Sequence, residues 1–303
     1  MKSKMIKDVV DEFLWHCRYE KALDQKTIKA YRVDLNQFVA CVSLNTHIHS
    51  LSKFDVKCFL SSIECYQPKT ITRKIASLKA MLNYYECEDD GFVNPMRRMQ
   101  IKIKLPVRIP VAMTLEEIRE IVKMVYSRKN NAEVDNFVAV RDVAIIELLF
   151  ASGMRVSELC SLCNKDVDVI HGTIKIIGKG NKERIVHICQ TDTLNALLEW
   201  NSVKTELSPG LPYFINRLNN RLSTQSVRLM IRKLASKCGF NKHVTPHTFR
   251  HTFATLLLEE DVDIKYIQHL LGHSSIVTTQ IYTHVNLHKQ RQILSDKHPR
   301  RLL

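Results

Sequence analysis

Residues 173–188 read TIKIIGKGNKERIVHI, two runs rich in β-branched residues around Gly178-Lys179-Gly180-Asn181. Alternating β-branched residues on both sides of a Gly/Asn turn predict a β-hairpin. The stretch decides the fold class because everything around it has helical periodicity. Helices are expected at about 139–151, 155–163, 191–206, 223–238, 246–259, 263–271 and 275–284. Upstream, Thr114 followed by Glu117 forms a capping box that opens another helix. The predicted fold is therefore mainly α with a small β-sheet.

The N-terminal part is helical throughout. Ile6, Val9, Val10, Phe13, Leu14 and Cys17 form one apolar stripe, and Ile28, Tyr31, Leu35, Phe38, Val39 and Val42 a second. Phe54, Phe59, Leu60 and Ile63 mark a shorter helix. Ile71, Ile75, Leu78, Leu82 and Tyr85 mark a fourth, whose other face carries Lys69, Arg73, Lys74 and Lys79. Such a face is a candidate for polyanion binding; a solvated helix surface would read the same way. The stretch FVNPMRRMQIKIKLPVRIPVAMT, residues 92–114, holds three prolines and no sustained helical pattern. The organisation expected is a helical domain over 1–92, a linker over 93–112 and a second domain over 113–303.

The chain has 303 residues and a net charge of +14, from 45 Lys and Arg against 31 Asp and Glu. The excess is spread over both halves and points to a polyanionic partner, although a basic surface without a ligand carries the same charge. The nine cysteines, an odd number, lack the spacing of a secreted disulfide scaffold and read as reduced thiols. Cys160 and Cys163 form one C-x-x-C with no second pair, a coincidence of helical spacing. The start, MKSKMIKDVVDEF, has no apolar signal region, and no run approaches eighteen apolar residues. A cytoplasmic protein without a membrane span is expected.

Cations are then placed where local structure does not ask for them. In TPHTFRHTFATLLLEE, residues 245–260, Thr245 is a natural N-cap and Pro246 suits the first helical position. The helix would bury Phe249, Phe253 and Leu256. His247, Arg250 and His251 crowd its first turns, where the helix dipole disfavours positive charge, so an anion is expected there. Arg155 in ASGMRVSELC stands at another helix start, with Glu158 three residues on and on the same face. Lys179 sits at the hairpin tip between two glycines. HLLGHSS ends a helix at Gly272, a C-cap, and puts His273 just beyond it; Tyr282 follows in TTQIYTHV.

Two arginines, a lysine, two histidines and a tyrosine form a coherent set for attack on a phosphodiester. Arginine forks suit the non-bridging oxygens and the growing charge of a five-coordinate transition state. Histidine can move a proton near neutral pH, and lysine can protonate a departing oxygen. A tyrosine nucleophile needs such a cationic pocket to lose its proton. No metal or cofactor is required. The His247/His251 spacing lacks the Glu of H-E-x-x-H, and there is neither a D-x-D cluster nor a phosphate loop.

The segments GMRVSEL, IGKGNKER, HTFRH, LGHSS and TTQIYTHV, in that order, resemble those of the tyrosine recombinase (phage-type integrase) family, most closely its short Xer-like members. The likeness is strong over residues 113–290. It implies an N-terminal core-binding (SAM-like) domain and an α+β catalytic domain. It implies that Arg155 and Arg250 clamp the scissile phosphate, that His273 hydrogen-bonds to it, and that His247 serves in proton transfer. Lys179 would be the general acid for the 5′-oxygen, Tyr282 the nucleophile forming a 3′-phosphotyrosyl bond, and Glu158 the support of Arg155. The activity implied is site-specific DNA recombination without ATP or metal, by four protomers on two sites, with the C-terminal segment VNLHKQRQILSDKHPRRLL docking on a neighbour. Double-stranded DNA would be gripped by both basic domains; a second recombinase or accessory protein is a further partner the resemblance admits. Thr224, Gln225 and Arg228, on the helix after Ser223, are candidates for the major groove, a role that a polar helix face would mimic. Two other readings fit the same residues: a type IB topoisomerase-like nicking and closing enzyme, and an architectural DNA-binding protein that has lost catalysis.

Overall fold

The computed structural model describes residues 4–104, 111–131, 133–178, 183–204 and 207–272. The chain divides into two compact units, residues 1–107 and 108–303.

The first unit holds four helices, α1 (Ile6–Tyr19), α2 (Gln25–Val42), α3 (Lys53–Ser62) and α4 (Pro68–Glu88). The stripe expected on α1 is buried in full, from Ile6 to Cys17. Asp24 caps α2 through the Lys26 N–H, a Ser52/Asp55 capping box opens α3, and Pro68 takes the first position of α4. Phe38 and Phe59 meet edge to face at 5.2 Å in the core. Phe54, expected to mark the inner face of α3, is exposed instead. The chain after α4 stays with this unit, because Phe92 and Met96 are buried in its core.

Lys74 departs from the expected exposed basic face. It is buried on α4, 3.1 Å from Asp34 and 2.5 Å from the side-chain oxygen of Gln37. Asp34, itself buried on α2, also accepts from Ser77 at 2.8 Å and pairs with Arg73. A buried carboxylate must be paired, and this one ties α2 to α4. Arg73 keeps part of its side chain at the surface, and Lys69 and Lys79 are exposed.

The second unit is built around α6 (Asn136–Ser152). Ala139, Val143, Ile145, Ile146, Leu148 and Leu149 bury it nearly all round, as a central helix requires. It packs against α5 (Leu115–Lys129), α8 (Thr191–Val203) and α10 (Pro246–Glu259). The Thr114/Glu117 capping box opens α5. The remaining α-helices among the described residues are α7 (Val156–Ser161), α9 (Thr224–Lys237) and α11 (Ile264–Leu271). The hairpin strands are β2 (Thr173–Ile177) and β3 (Glu183–His187), antiparallel and in register from Thr173↔His187 to Ile177↔Glu183. A two-residue strand, β1 (Val167–Asp168), adds to β2 and completes a three-stranded sheet. Among the described residues no helix is long and apolar enough to cross a membrane.

Candidate active site

The end of α6 sets the geometry. Gly153 caps it in the left-handed region, with φ of 58°. A Cβ there would lie 2.5 Å from Phe253 and 2.9 Å from Leu271, so glycine is required by conformation and by space. Two residues later Arg155 is the N-cap of α7. Glu158, buried in the first turn of α7, accepts from the Arg155 N–H and from its Nη1, both at 2.8 Å. Glu158 thus holds the Arg155 guanidinium by one side-chain bond.

Helix α10 brings the second arginine. Thr245 caps it by accepting from the Thr248 N–H, and the Thr248 hydroxyl accepts from the Thr245 N–H in return. Phe249 is fully buried, whereas Phe253 and Leu256 are half-buried along an open groove with Val122 and Phe150. Arg250 is buried. Its Nη1 donates to the Gly153 carbonyl at 2.9 Å and its Nη2 to the Leu271 carbonyl at 2.7 Å. Arg155 Nη2 reaches the next carbonyl, that of Gly272, at 3.4 Å. Two guanidinium groups from distant segments therefore meet at the C-terminal end of α11, where helix carbonyls and the negative end of the dipole favour cations. Gly272 caps α11 with φ of 63°, as its place in the sequence suggests.

His247 is exposed beside them on the first turn of α10. Partial burial and the charges of Arg250 and Arg155 hold its pKa below the ordinary imidazole value. It is therefore neutral at physiological pH and able to accept a proton. His251 meets it edge to face with ring centroids 4.3 Å apart, and burial, with His247 and Arg250 nearby, pushes its pKa down to about 4.

Arg155, His247 and Arg250 line one cleft together with Gln225, Arg228 and Arg232 of α9. His243 joins them, and among the described residues no carboxylate lines the cleft. Four arginines and two histidines without an acid form a receptor for an anion. Of the residues proposed for the major groove, Gln225 and Arg228 belong to this cleft; Thr224 opens α9 but does not line it. Arg232 was not singled out in the sequence, although it lies one turn from Arg228 along the edge of the buried stripe of Val227 and Ile231. Lys179, His273 and Tyr282 lie outside the described residues, as do the helix expected at 275–284 and the C-terminal segment. The C-x-x-C pair has no reactive thiol at Cys160, whose pKa burial pushes up to about 11.

A second cation on the same network escaped the sequence reading. Arg184 of β3 grips Glu158 with two parallel bonds, Nη1 to Oε1 at 3.1 Å and Nη2 to Oε2 at 2.8 Å. Burial alone would raise the Glu158 carboxyl, but the bonds from Arg184 and Arg155 outweigh it and hold the pKa below the ordinary value.

A sequence model of the phage integrase family matches residues 111–289, and one of the phage integrase N-terminal SAM-like domain matches residues 10–88. Over 296 residues the chain is 44% identical to a tyrosine recombinase of Agathobacter rectalis, covering 96% of each. It is 34% identical over 298 residues to tyrosine recombinase XerC of Thermodesulfovibrio yellowstonii, again covering 96% of each. A solved structure of XerH site-specific recombinase bound to palindromic difH substrate, a post-cleavage complex, matches with a TM-score of 0.75. That match has 22% identity and covers 95% of this chain and 84% of that one, a likeness of fold.

Proposed function

The chain belongs to the phage integrase family of tyrosine recombinases, and on that premise we propose that it cleaves and rejoins duplex DNA at specific sites through a 3′-phosphotyrosyl intermediate. The observation that carries this reading is the convergence of Arg155 and Arg250 on the adjacent carbonyls of Leu271 and Gly272, in a cleft whose described lining is cationic and holds no carboxylate.

In the proposed reaction the two guanidinium groups hold the non-bridging oxygens of the scissile phosphate, and His273 adds a hydrogen bond. Tyr282 attacks phosphorus and its phenolic proton passes to His247, which burial and the neighbouring arginines keep neutral. The bond to the 5′-oxygen breaks, and Lys179 supplies the proton to that oxygen. Attack by the 5′-hydroxyl of a partner strand reverses the steps. One phosphodiester is exchanged for a phosphotyrosine ester and back, so neither ATP nor a metal ion enters the balance. Charge accumulating on phosphorus oxygens is met by donors already in place. Exchange between two duplexes requires four cleavages, for which a tetramer on two sites provides four tyrosines.

Phosphate contacts from Arg228 and Arg232 would extend the grip beyond the scissile bond, with Gln225 available for a base edge. The test is strand exchange between two duplexes of different length that carry the same site from the gene's own neighbourhood, incubated in EDTA. Recombinant products of the two new lengths support the proposal; a covalent adduct that forms and reseals on each duplex without any recombinant product would replace it with a nicking and closing activity.

A further inference from the structure

We infer that Arg184 is a positioning residue for Arg155, acting through Glu158 and returning to the cleft the positive charge that Glu158 would otherwise cancel. The inference rests on the proposed phosphodiester chemistry. In the β2–β3 register Arg184 stands opposite Ile176, and Ile176 and Val186 are both buried. Alternation therefore places Arg184 on the inner face of the hairpin, where its side chain is 11% exposed. A guanidinium in such a place is costly unless paired, and its partner is the buried Glu158.

Glu158 then receives four donors, two from Arg155 and two from Arg184. An isolated Arg155–Glu158 pair has no net charge and would attract a phosphate weakly. With Arg184 the trio carries +1, and Arg155 faces the cleft with its charge undiminished. Arg184 also abuts the end of α11: a Cβ on Gly272 would lie 3.0 Å from its Nη1 and 3.2 Å from its Cδ. One side chain of β3 thus touches both the start of α7 that carries Arg155 and the helix end whose Gly272 carbonyl Arg155 meets.

The test compares the full chain with Arg184→Gln, Arg184→Lys, Glu158→Gln and the double variant Arg184→Gln/Glu158→Gln. Two readouts are single-turnover adduct formation on a nicked duplex and the binding of inorganic phosphate, followed by NMR of 15N-labelled arginine. Arg184→Gln should slow adduct formation roughly tenfold or more at saturating DNA and weaken phosphate binding by a similar factor. Arg184→Lys, which keeps the charge, should retain more of both. The double variant should recover several-fold over Arg184→Gln, because removing the carboxylate restores the net charge. A residue that merely holds the fold predicts the opposite, a double variant worse than either single one, and that result would overturn the inference. Phosphate binding separates this outcome from failure of the tyrosyl chemistry: if the wild type forms no adduct, equal phosphate binding by wild type, single and double variants still overturns the role of Arg184, and the predicted order still supports it.

Discussion

Arg250 donates from Nη1 to the carbonyl of Gly153 at 2.9 Å, and through that bond α10 holds the turn that delivers Arg155. The same guanidinium takes the Leu271 carbonyl with its other nitrogen, so a single side chain ties the ends of α6 and α11 together. The turn at Gly153, the first turns of α10 and the end of α11 are consequently one mechanical unit, and a change in any of them should be felt at the cleft.

Gly153→Ala tests the unit directly. The substitution forces alanine into φ of 58° and sets its Cβ 2.5 Å from Phe253. Strain and overpacking should together cost about 2 kcal/mol or more in urea unfolding. Adduct formation should fall further than the loss of folded protein explains, because Arg155 is displaced.

Arg250→Lys keeps a positive charge but cannot reach two carbonyls and a phosphate with one planar fork. Single-turnover cleavage should fall by about 10²–10³, the usual consequence of removing one preorganised donor. The dissociation constant for DNA should change far less, since many other phosphate contacts remain.

His251 predicts an acid limit on stability. Its pKa is pushed from 6.5 down to about 4 in the folded protein by burial and by His247 and Arg250. A base with a depressed folded pKa leaves stability intact above pH 6.5 and removes it as pH falls toward 4, by roughly 1–2 kcal/mol in all once solvent screening of this half-buried ring is allowed for. Urea melts across that range should show the loss, and His251→Phe, which keeps a ring against His247, should remove that share of the slope.

Salt dependence separates cleft cations from structural ones. Arg232→Ala should reduce the slope of log K against log salt by about 1, with affinity lowered on all sequences alike. Lys74→Met should leave the slope unchanged and lower the stability of the first unit by about 3 kcal/mol, because Asp34 loses a buried partner.

The contrast between these lysines and arginines also explains what a sequence can disclose. The N-caps at Thr114 and Thr245, the α1 stripe and the β-branched runs of the hairpin depend on neighbours within a turn or two, and each was readable. Lys74 was not, because its partner Asp34 lies 40 residues away and a charge on a helix is ordinarily solvated. The β1 strand, with two residues, is too short to show any period. Phe54 fits a helical stripe by spacing, yet faces solvent, since spacing names a face and not its neighbour. Arg184 left one visible trace: it shares the strand face of Val186, and a charge in phase with buried residues calls for a partner. Beside the cleft, Arg155 and Glu158 were a legible local pair; that Arg155 and Arg250 share one phosphate was implied by the family resemblance, whereas their meeting on the adjacent carbonyls of Leu271 and Gly272 came only from the fold.

The most direct measurement of the central claim is peptide mapping of the covalent adduct formed on a nicked duplex in EDTA, with wild type and Tyr282→Phe side by side. The account predicts a 3′-phosphonucleotide on the peptide containing Tyr282, no adduct with Tyr282→Phe, and undiminished DNA binding by that variant. DNA attached to a different residue, or an adduct that survives Tyr282→Phe, would contradict it.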